Sequence, residues 1–416
     1  MTPTPSLQRS LGLLDAVGIG MGAIVGAGIY VVSGLAVELA GPTILISVIL
    51  AGVVATGNAL SSAQLAAAFP VSGGTYEYGY RLFGPWTGYT AGWMFLVAKL
   101  TALATVALGF GAYLQWLTPT LDARWGAAAA VGGFTLLVRT GIRSSSRANL
   151  LLVTLSVGAL ILFVLWVWPT AGPDRPPLTT EVNTLTLRAA ALMFFAYTGF
   201  ARIATLGEEV VDPRHTIPRA VVITLVLAGV LYVAVSLALV SAASGTALSA
   251  RGAPLLSVAE ARGQPLLALV VVAGASAAML GVILNQILGL SRMALAMARR
   301  GDLPTALSRI DARYRGPTVA TYAVGVVGVG LALTGIWSTL VSVSAFSILV
   351  YYAIANLAAL RLDRGRRLYP RIVSWTGLLG CASFAVSLAP TTLAIGIVTL
   401  AVGVSLRAII PRRSVQ

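Results

Sequence analysis

The sequence predicts an all-α membrane protein, and three observations carry that expectation. Of the 416 residues, 57% are hydrophobic and only 10% are charged, against roughly 25% charged in an ordinary soluble domain. Apolar runs of the length a bilayer-spanning helix needs, about 20 residues at 1.5 Å rise each, recur from near the N-terminus to the end. The basic residues fall between those runs and form no face. The net charge of +15 therefore reads as a topology and headgroup signal and not as a nucleic-acid surface. No short apolar run followed by a small-residue cleavage site suggests a removable leader.

Twelve spanning segments are expected in one transmembrane domain, 1–416. The first half carries 12–38, 43–68, 85–117, 124–140, 148–168 and 186–207. The second carries 219–242, 265–297, 317–336, 338–361, 372–389 and 391–409. Orientation follows the Lys/Arg bias. With both termini cytoplasmic, the inner side receives Arg139, Arg143, Arg147, Arg299, Arg300 and Arg309, together with Arg361, Arg364, Arg366, Arg367 and Arg371. The outer side keeps Arg124, Arg175, Arg188, Arg251 and Arg262. Two outer loops stand out, a Pro-rich one over Pro169–Asn183 and a small-residue one over Ser244–Gln264 with a short apolar patch. Arginine supplies all the basic residues but one, a coding bias that points to a GC-rich bacterium and so to an inner membrane.

Several chemistries are excluded by count. Cys381 is the lone cysteine and His215 the lone histidine, so a disulfide, a Cys/His metal site or a Ser-His nucleophile has too few parts. Within the membrane region the ionisable residues are Lys99 and Arg202, with no acid at the same depth. We expect no enzyme, cofactor or metal.

The first segment contains "GAIVGAGIYVV", Gly22–Val32. Each interior glycine costs a helix about 1 kcal/mol relative to alanine, and here Gly22, Gly26 and Gly28 fall within seven residues. Two readings are open. Gly22 and Gly26 have the small-xxx-small spacing of close helix packing; Gly26-Ala27-Gly28 also reads as a break, which lipid tolerates only where the backbone is buried in protein or lines a cavity. The sixth segment, "LMFFAYTGFARIATLGEEV", has Gly199 between aromatic residues. Two interrupted segments at corresponding places in two halves point to a transporter site, where helix N-terminal N–H groups meet an anionic group.

The stretches "VGIGMGAIVGAGIYVVSGLA", "FPVSGGTYEYGYRLFGPWTGYTAGW", "FFAYTGFARIATLGEEVVDPRHTIPRA" and "SRMALAMARRGDLPTAL" resemble the amino acid–polyamine–organocation permeases, in order, over about three quarters of the chain. The resemblance implies a LeuT-type fold: a 5+5 inverted repeat (12–168 and 186–361) plus two added helices (372–409). It implies a substrate carboxylate at the unwound backbone of Gly26, Ala27 and Gly28, with Ile24 beside them. It places the amine at carbonyls near Phe195, Ala196 and Thr198 around Gly199, with Phe195 as an aromatic gate. Proton-coupled relatives carry a lysine in the fifth segment; alignment puts Ser156 there, a departure that leaves coupling open.

Lys99, the only lysine, lies midway along the third segment, where a charge costs at least about 2.5–3.5 kcal/mol and marks function by default. It is a candidate proton carrier, or a tie to backbone carbonyls. Asn285 in the eighth segment is a candidate coupling residue or an interhelical hydrogen bond. Glu208 and Glu209 end the sixth segment, where acid opposes the helix dipole; with Arg202, and with Asp15 at the start of the first segment, they form a candidate gate or are ordinary helix ends. The expected function is secondary active transport of amino acids by alternating access. Neutral substrates are favoured because the mapped pocket stretches hold no acid. A cationic amino acid or polyamine permease and a non-transporting sensor remain alternatives. Expected partners are the amino acid, the lipid bilayer and, as candidate coupling ion, protons.

Overall fold

In the computed structural model the described residues are 11–69, 73–139, 146–168, 179, 181–204, 210–242, 252–311 and 316–409. They are almost wholly helical and include no strand; one isolated bridge joins Leu11 to Val210. The helices are α1 (Leu13–Ile24), α2 (Ser33–Ala40), α3 (Ile44–Ala68), α4 (Thr75–Phe83), α5 (Pro85–Leu117), α6 (Ala123–Arg139), α7 (Ser146–Val167) and α8 (Thr184–Tyr197). Then follow α9 (Ala201–Ala204), α10 (Pro213–Ala242), α11 (Pro254–Ala261), α12 (Pro265–Arg299), α13 (Thr318–Leu333), α14 (Trp337–Leu360), α15 (Arg371–Ser387) and α16 (Pro390–Ile409).

Each of the twelve apolar stretches coincides with helix, α1–α2 forming the first and α8–α9 the sixth. By length and composition, seven helical stretches can cross a membrane, the first running over Leu13–Ala68 with α1 to α3 together; Thr184–Phe200 and Thr318–Leu333 are shorter apolar helices. Local chemistry sets the ends. Proline opens α5, α11, α12 and α16, where its missing N–H is not needed. Asn183 Oδ1 accepts the Thr186 N–H at 2.9 Å and starts α8. Gly84, at φ 97°, supplies the sharp joint between α4 and α5.

Packing divides the helices into two groups. α1, α2, α3, α8 and α10 pack on one another, and so do α5, α6, α12 and α13; α7 and α14 touch both groups. The last two helices part company: α15 lies on α3, α8 and α14, whereas α16 lies on α14 and α5. The main buried core is rich in alanine, glycine and tyrosine, as expected where van der Waals contact between small residues holds helices together.

Candidate functional site at the helix breaks

α1 stops at Ile24. Val25 turns extended (φ −75°, ψ 103°), and the helix resumes as a π-turn over Gly28–Val32 before α2. The first N–H groups to bond back in the resumed helix are those of Ile29 and Tyr30, both to the Gly26 carbonyl at 3.2 Å. The N–H groups of Gly26, Ala27 and Gly28 therefore precede the ladder, like those of any helix start. The π-turn displaces carbonyls from the α register. Tyr113 of α5 donates to the Tyr30 carbonyl at 2.8 Å, and Ser33 Oγ to that of Ile29 at 2.5 Å. π-turns of this kind gather at functional sites.

The break opposite is tighter. α8 ends at Tyr197 and passes through one 3₁₀ turn, Thr198–Phe200, into α9. The Phe195 carbonyl accepts both the Thr198 N–H and its hydroxyl, the latter at 2.8 Å. An incoming ammonium would have to displace one of them to use that oxygen.

The two breaks lie against each other. A Cβ on Gly28 would overlap the backbone of Ala196, and a Cβ on Gly199 would overlap the Ala23 carbonyl. A Cβ on Gly26 would come within 2.9 Å of Val282 in α12. Gly26 and Gly28 sit at a break and also permit close packing, whereas Gly22 lies within α1. In the direction of a Gly28 side chain the space is filled by Ala196, so a larger residue there strikes α8 first.

One hydroxyl joins the pair. Tyr232 of α10, fully buried, points its OH at the Ile24 carbonyl (2.9 Å) and the Ala196 carbonyl (3.1 Å). It has one proton for two acceptors, so it serves both ends of the break in turn or shares the bond. Its ring meets Tyr197 edge-on at 5.0 Å.

Phe195 closes the arrangement on one side. With Leu192, Val32, Ala102 and Val341 it forms a separate small apolar cluster, against which Leu35, Leu39 and Trp337 pack. Beyond it lies a cavity of about 330 Å³ whose lining includes Val31, Gly109, Ala112, Gly252 and Trp337. Asp122 and Arg124, paired at 2.8 Å, stand in its wall. The cavity adjoins the π-turn through Val31; it does not reach the breaks.

Residues 11–411 match the family described as amino acid permease. The chain belongs to that family. It is 40% identical to an uncharacterized transporter of Mycobacterium tuberculosis over 99% of this chain and 94% of the relative. It is 29% identical to the branched-chain amino acid permease BcaP of Bacillus subtilis over 77% of this chain and 73% of the relative. Among solved structures, MhsT in complex with L-phenylalanine superposes with a TM-score of 0.67 at 16% identity, covering 95% of this chain and all of that one; this likeness shows a LeuT-type fold. The permease is an integral membrane protein of a transporter family.

The remaining sequence-predicted residues distribute unevenly in the permease. Lys99, half-buried on α5, makes no hydrogen bond or ion pair among the described residues. It lies one turn from Ala102 of the Phe195 cluster and one turn from Phe95, which packs on Tyr351 at 5.2 Å. Lys99 therefore stands between the two aromatic levels. Asn285 turns its amide back to the Gly281 carbonyl of its own helix at 2.9 Å and makes no interhelical hydrogen bond among the described residues; beside it Gln286 Oε1 is buried without a partner among them. Ser156 is buried, and its carbonyl accepts the Tyr30 OH at 2.8 Å. Asp15 accepts the Gly12 N–H at 2.9 Å, an ordinary helix-start bond. Arg202 lies in α9, and nothing further is described of its side chain; Glu208 and Glu209 lie outside the described residues. Among the described residues no group of acids, His and Cys is arranged to hold a metal.

Sequence reasoning missed Tyr232. It also missed a cluster at one end of the bundle, where Asp302, Arg407, Tyr76 and Tyr80 converge. Two of the motifs that carried the family resemblance, "SGGTYEYGY" and "ARRGDLP", supply three of those four side chains.

Proposed function

We propose that the permease is a secondary active transporter that carries neutral amino acids across the bacterial inner membrane by alternating access. In this reading the chain crosses twelve times with both termini cytoplasmic. Residues 12–168 and 186–361 are the two repeats, and 372–409 adds two helices. The substrate lies at the touching breaks of α1 and α8. Its carboxylate is held by the N–H groups of Gly26, Ala27 and Gly28, its amine by the Ala196 carbonyl region with Thr198, and its side chain faces Phe195. Ile24 and Gly199 shape the backbone at that point. Lys99 is the candidate proton carrier, and Arg202, Glu208 and Asn285 remain candidate gating or coupling residues.

The observation that carries this reading is the run of N–H groups at Gly26–Gly28 beside α8, which have no backbone partner among the described residues, with no acidic side chain at that depth among those residues. Among the described residues, the Asp and Glu side chains belong to positions toward helix ends or in loops. A carboxylate fits such N–H groups, and a cationic side chain would find no counter-charge. Tyr232 supports the alternating step, because a single proton shared between Ile24 and Ala196 lets one break loosen while the other is held. Relatives named for branched-chain and for cationic amino acids make substrate charge the question to test. Labelled leucine uptake into proteoliposomes should saturate and be competed by neutral amino acids. Competition by arginine or lysine equal to that by leucine would remove the neutral assignment, and absence of flux would remove transport.

A further inference from the structure

The loop between α14 and α15 carries five arginines in eleven residues: Arg361, Arg364, Arg366, Arg367 and Arg371. The positive-inside bias accounts for their side of the membrane but not for their arrangement. The loop is fixed in place. Leu362 is buried, the Arg361 guanidinium lies over Phe83 at 4.0 Å and donates to the Leu82 carbonyl at 2.8 Å, and Arg367 donates to the Leu362 carbonyl at 2.6 Å. Residues Arg364–Arg366 form a 3₁₀ turn on that base. Two arginines thus hold the loop, while the side chains of Arg364, Arg366 and Arg371 are exposed and make no ion pair or hydrogen bond among the described residues, the Arg366 guanidinium lying over the Phe69 ring at 5.8 Å. Glu77, on the neighbouring α4, is taken up by Arg81 and Arg300 at 2.7 Å each.

α15 begins at Arg371, and its apolar face continues directly from the arginines. Ile372 is 67% exposed, Trp375 45% and Leu379 59%. Their i, i+3, i+7 spacing puts them on one face, which in an integral membrane protein meets acyl chains. Trp375, one turn into α15, has the amphipathic ring that favours the headgroup level. A phospholipid whose tails lie on Ile372 and Leu379 therefore brings its phosphodiester to the three exposed guanidiniums. Arginine's planar fork suits that group bidentately.

We propose that this corner is a binding site for an anionic glycerophospholipid. The site lies apart from the helix breaks and does not depend on which amino acid is carried. Each exposed arginine near a membrane surface contributes roughly a fivefold gain in affinity for anionic lipid, so the three together contribute on the order of a hundredfold.

The test uses the full chain purified in a non-ionic detergent. Phosphatidylglycerol, phosphatidylcholine and inorganic phosphate are titrated separately, and bound lipid is read by native mass spectrometry and the thermal midpoint. Phosphatidylglycerol is expected to bind and raise the midpoint, with an affinity that weakens as salt is raised toward 1 M, where screening acts over about 3 Å. R364Q/R366Q/R371Q should weaken it about a hundredfold by the same estimate, whereas R299Q/R309Q, which removes exposed arginines elsewhere, should leave it unchanged. Equal binding of phosphatidylcholine would leave only an apolar face, and an equal effect of phosphate alone would make this a free-anion site. Either result overturns the proposal, as does unchanged phosphatidylglycerol affinity in the triple variant. Because the salt titration is done on the unaltered protein, salt-insensitive phosphatidylglycerol binding overturns it even if the variant does not fold.

Discussion

At the breaks of α1 and α8 the contacts are backbone against backbone and carbonyl against hydroxyl. Where α4 meets the ends of α12 and α16, they are ion pairs and rings. There Asp302 accepts Arg407 at 2.5 Å, Tyr76 at 2.7 Å and Tyr80 at 2.5 Å, with the Asp302 and Arg407 side chains each only 7% exposed. Arg407 also lies over Tyr89 at 4.8 Å, and Arg300 over Tyr80 at 4.3 Å. Burial, and then the bond to Asp302, push the Tyr80 hydroxyl up to about 12, so it stays a donor throughout the physiological range. The difference is one of cost. A neutral hydroxyl bond contributes a net of about 0.5–1.5 kcal/mol and can change partner, whereas parting a buried ion pair leaves an uncompensated charge at about 3–5 kcal/mol. The contacts at the centre can therefore change at low cost, as the proposed alternating access requires, whereas those at the charged end hold α4, α12 and α16 together.

The largest expected effect breaks that joint. Asp302→Ala should lower stability by about 3–5 kcal/mol, seen as a fall in thermal midpoint in detergent. Adding Arg407→Met should restore much of the loss, because the stranded charge goes with it. A negligible effect of Asp302→Ala would place the pair in water and dissolve the contrast.

Next comes the packing of the breaks. Gly28→Ala puts its Cβ into Ala196 and should cost about 1–3 kcal/mol as overpacking. Gly289→Ala in α12, where nothing lies within 4 Å, should be neutral or stabilise by up to about 1 kcal/mol. Equal midpoints for the two variants would mean that the π-turn and α8 do not touch at Gly28.

Tyr232→Phe sharpens the comparison. It should cost only about 1 kcal/mol of stability and yet slow uptake severalfold, since both carbonyls lose their shared donor. Loss of stability without a change in uptake rate would make Tyr232 a packing residue.

Smallest in stability is Lys99→Gln, which removes a side chain with no partner among the described residues. The midpoint should hardly move, while the pH dependence of uptake between about pH 5 and 9, a range that lysines inside proteins can reach, should flatten. The pair at the far cavity supplies no such dependence. Hydrogen bonds from Arg124 hold the Asp122 carboxyl down at about 2, so it stays ionised across that range. An unaltered pH profile in Lys99→Gln removes the proton-carrying role.

What the sequence revealed follows the range of the interactions. Helix positions were legible because apolar runs and their proline and glycine ends are local, and all twelve stretches coincide with helix. The breaks were legible because glycine density marks them. The meaning of Gly28 was not, because a missing Cβ looks the same in sequence whether a ligand or a neighbouring helix fills the space. Tyr232 sits in an apolar run, and its acceptors lie 208 and 36 residues away, so nothing nearby distinguishes it from a core tyrosine. Asp302 and Arg407 are 105 residues apart, and each alone reads as an ordinary loop or helix-end charge.

Site occupancy at the α1 break is the most direct test of the whole account. Cys381, buried and the chain's lone cysteine, is first replaced by Ala, and Ala27→Cys is introduced into that background. Labelling of the new thiol by a small methanethiosulfonate reagent is then timed in proteoliposomes with and without amino acids. The account predicts that leucine slows labelling at the same concentrations that saturate its uptake, and that arginine does not. Saturable leucine uptake with no protection of Ala27→Cys would place the substrate elsewhere and contradict it.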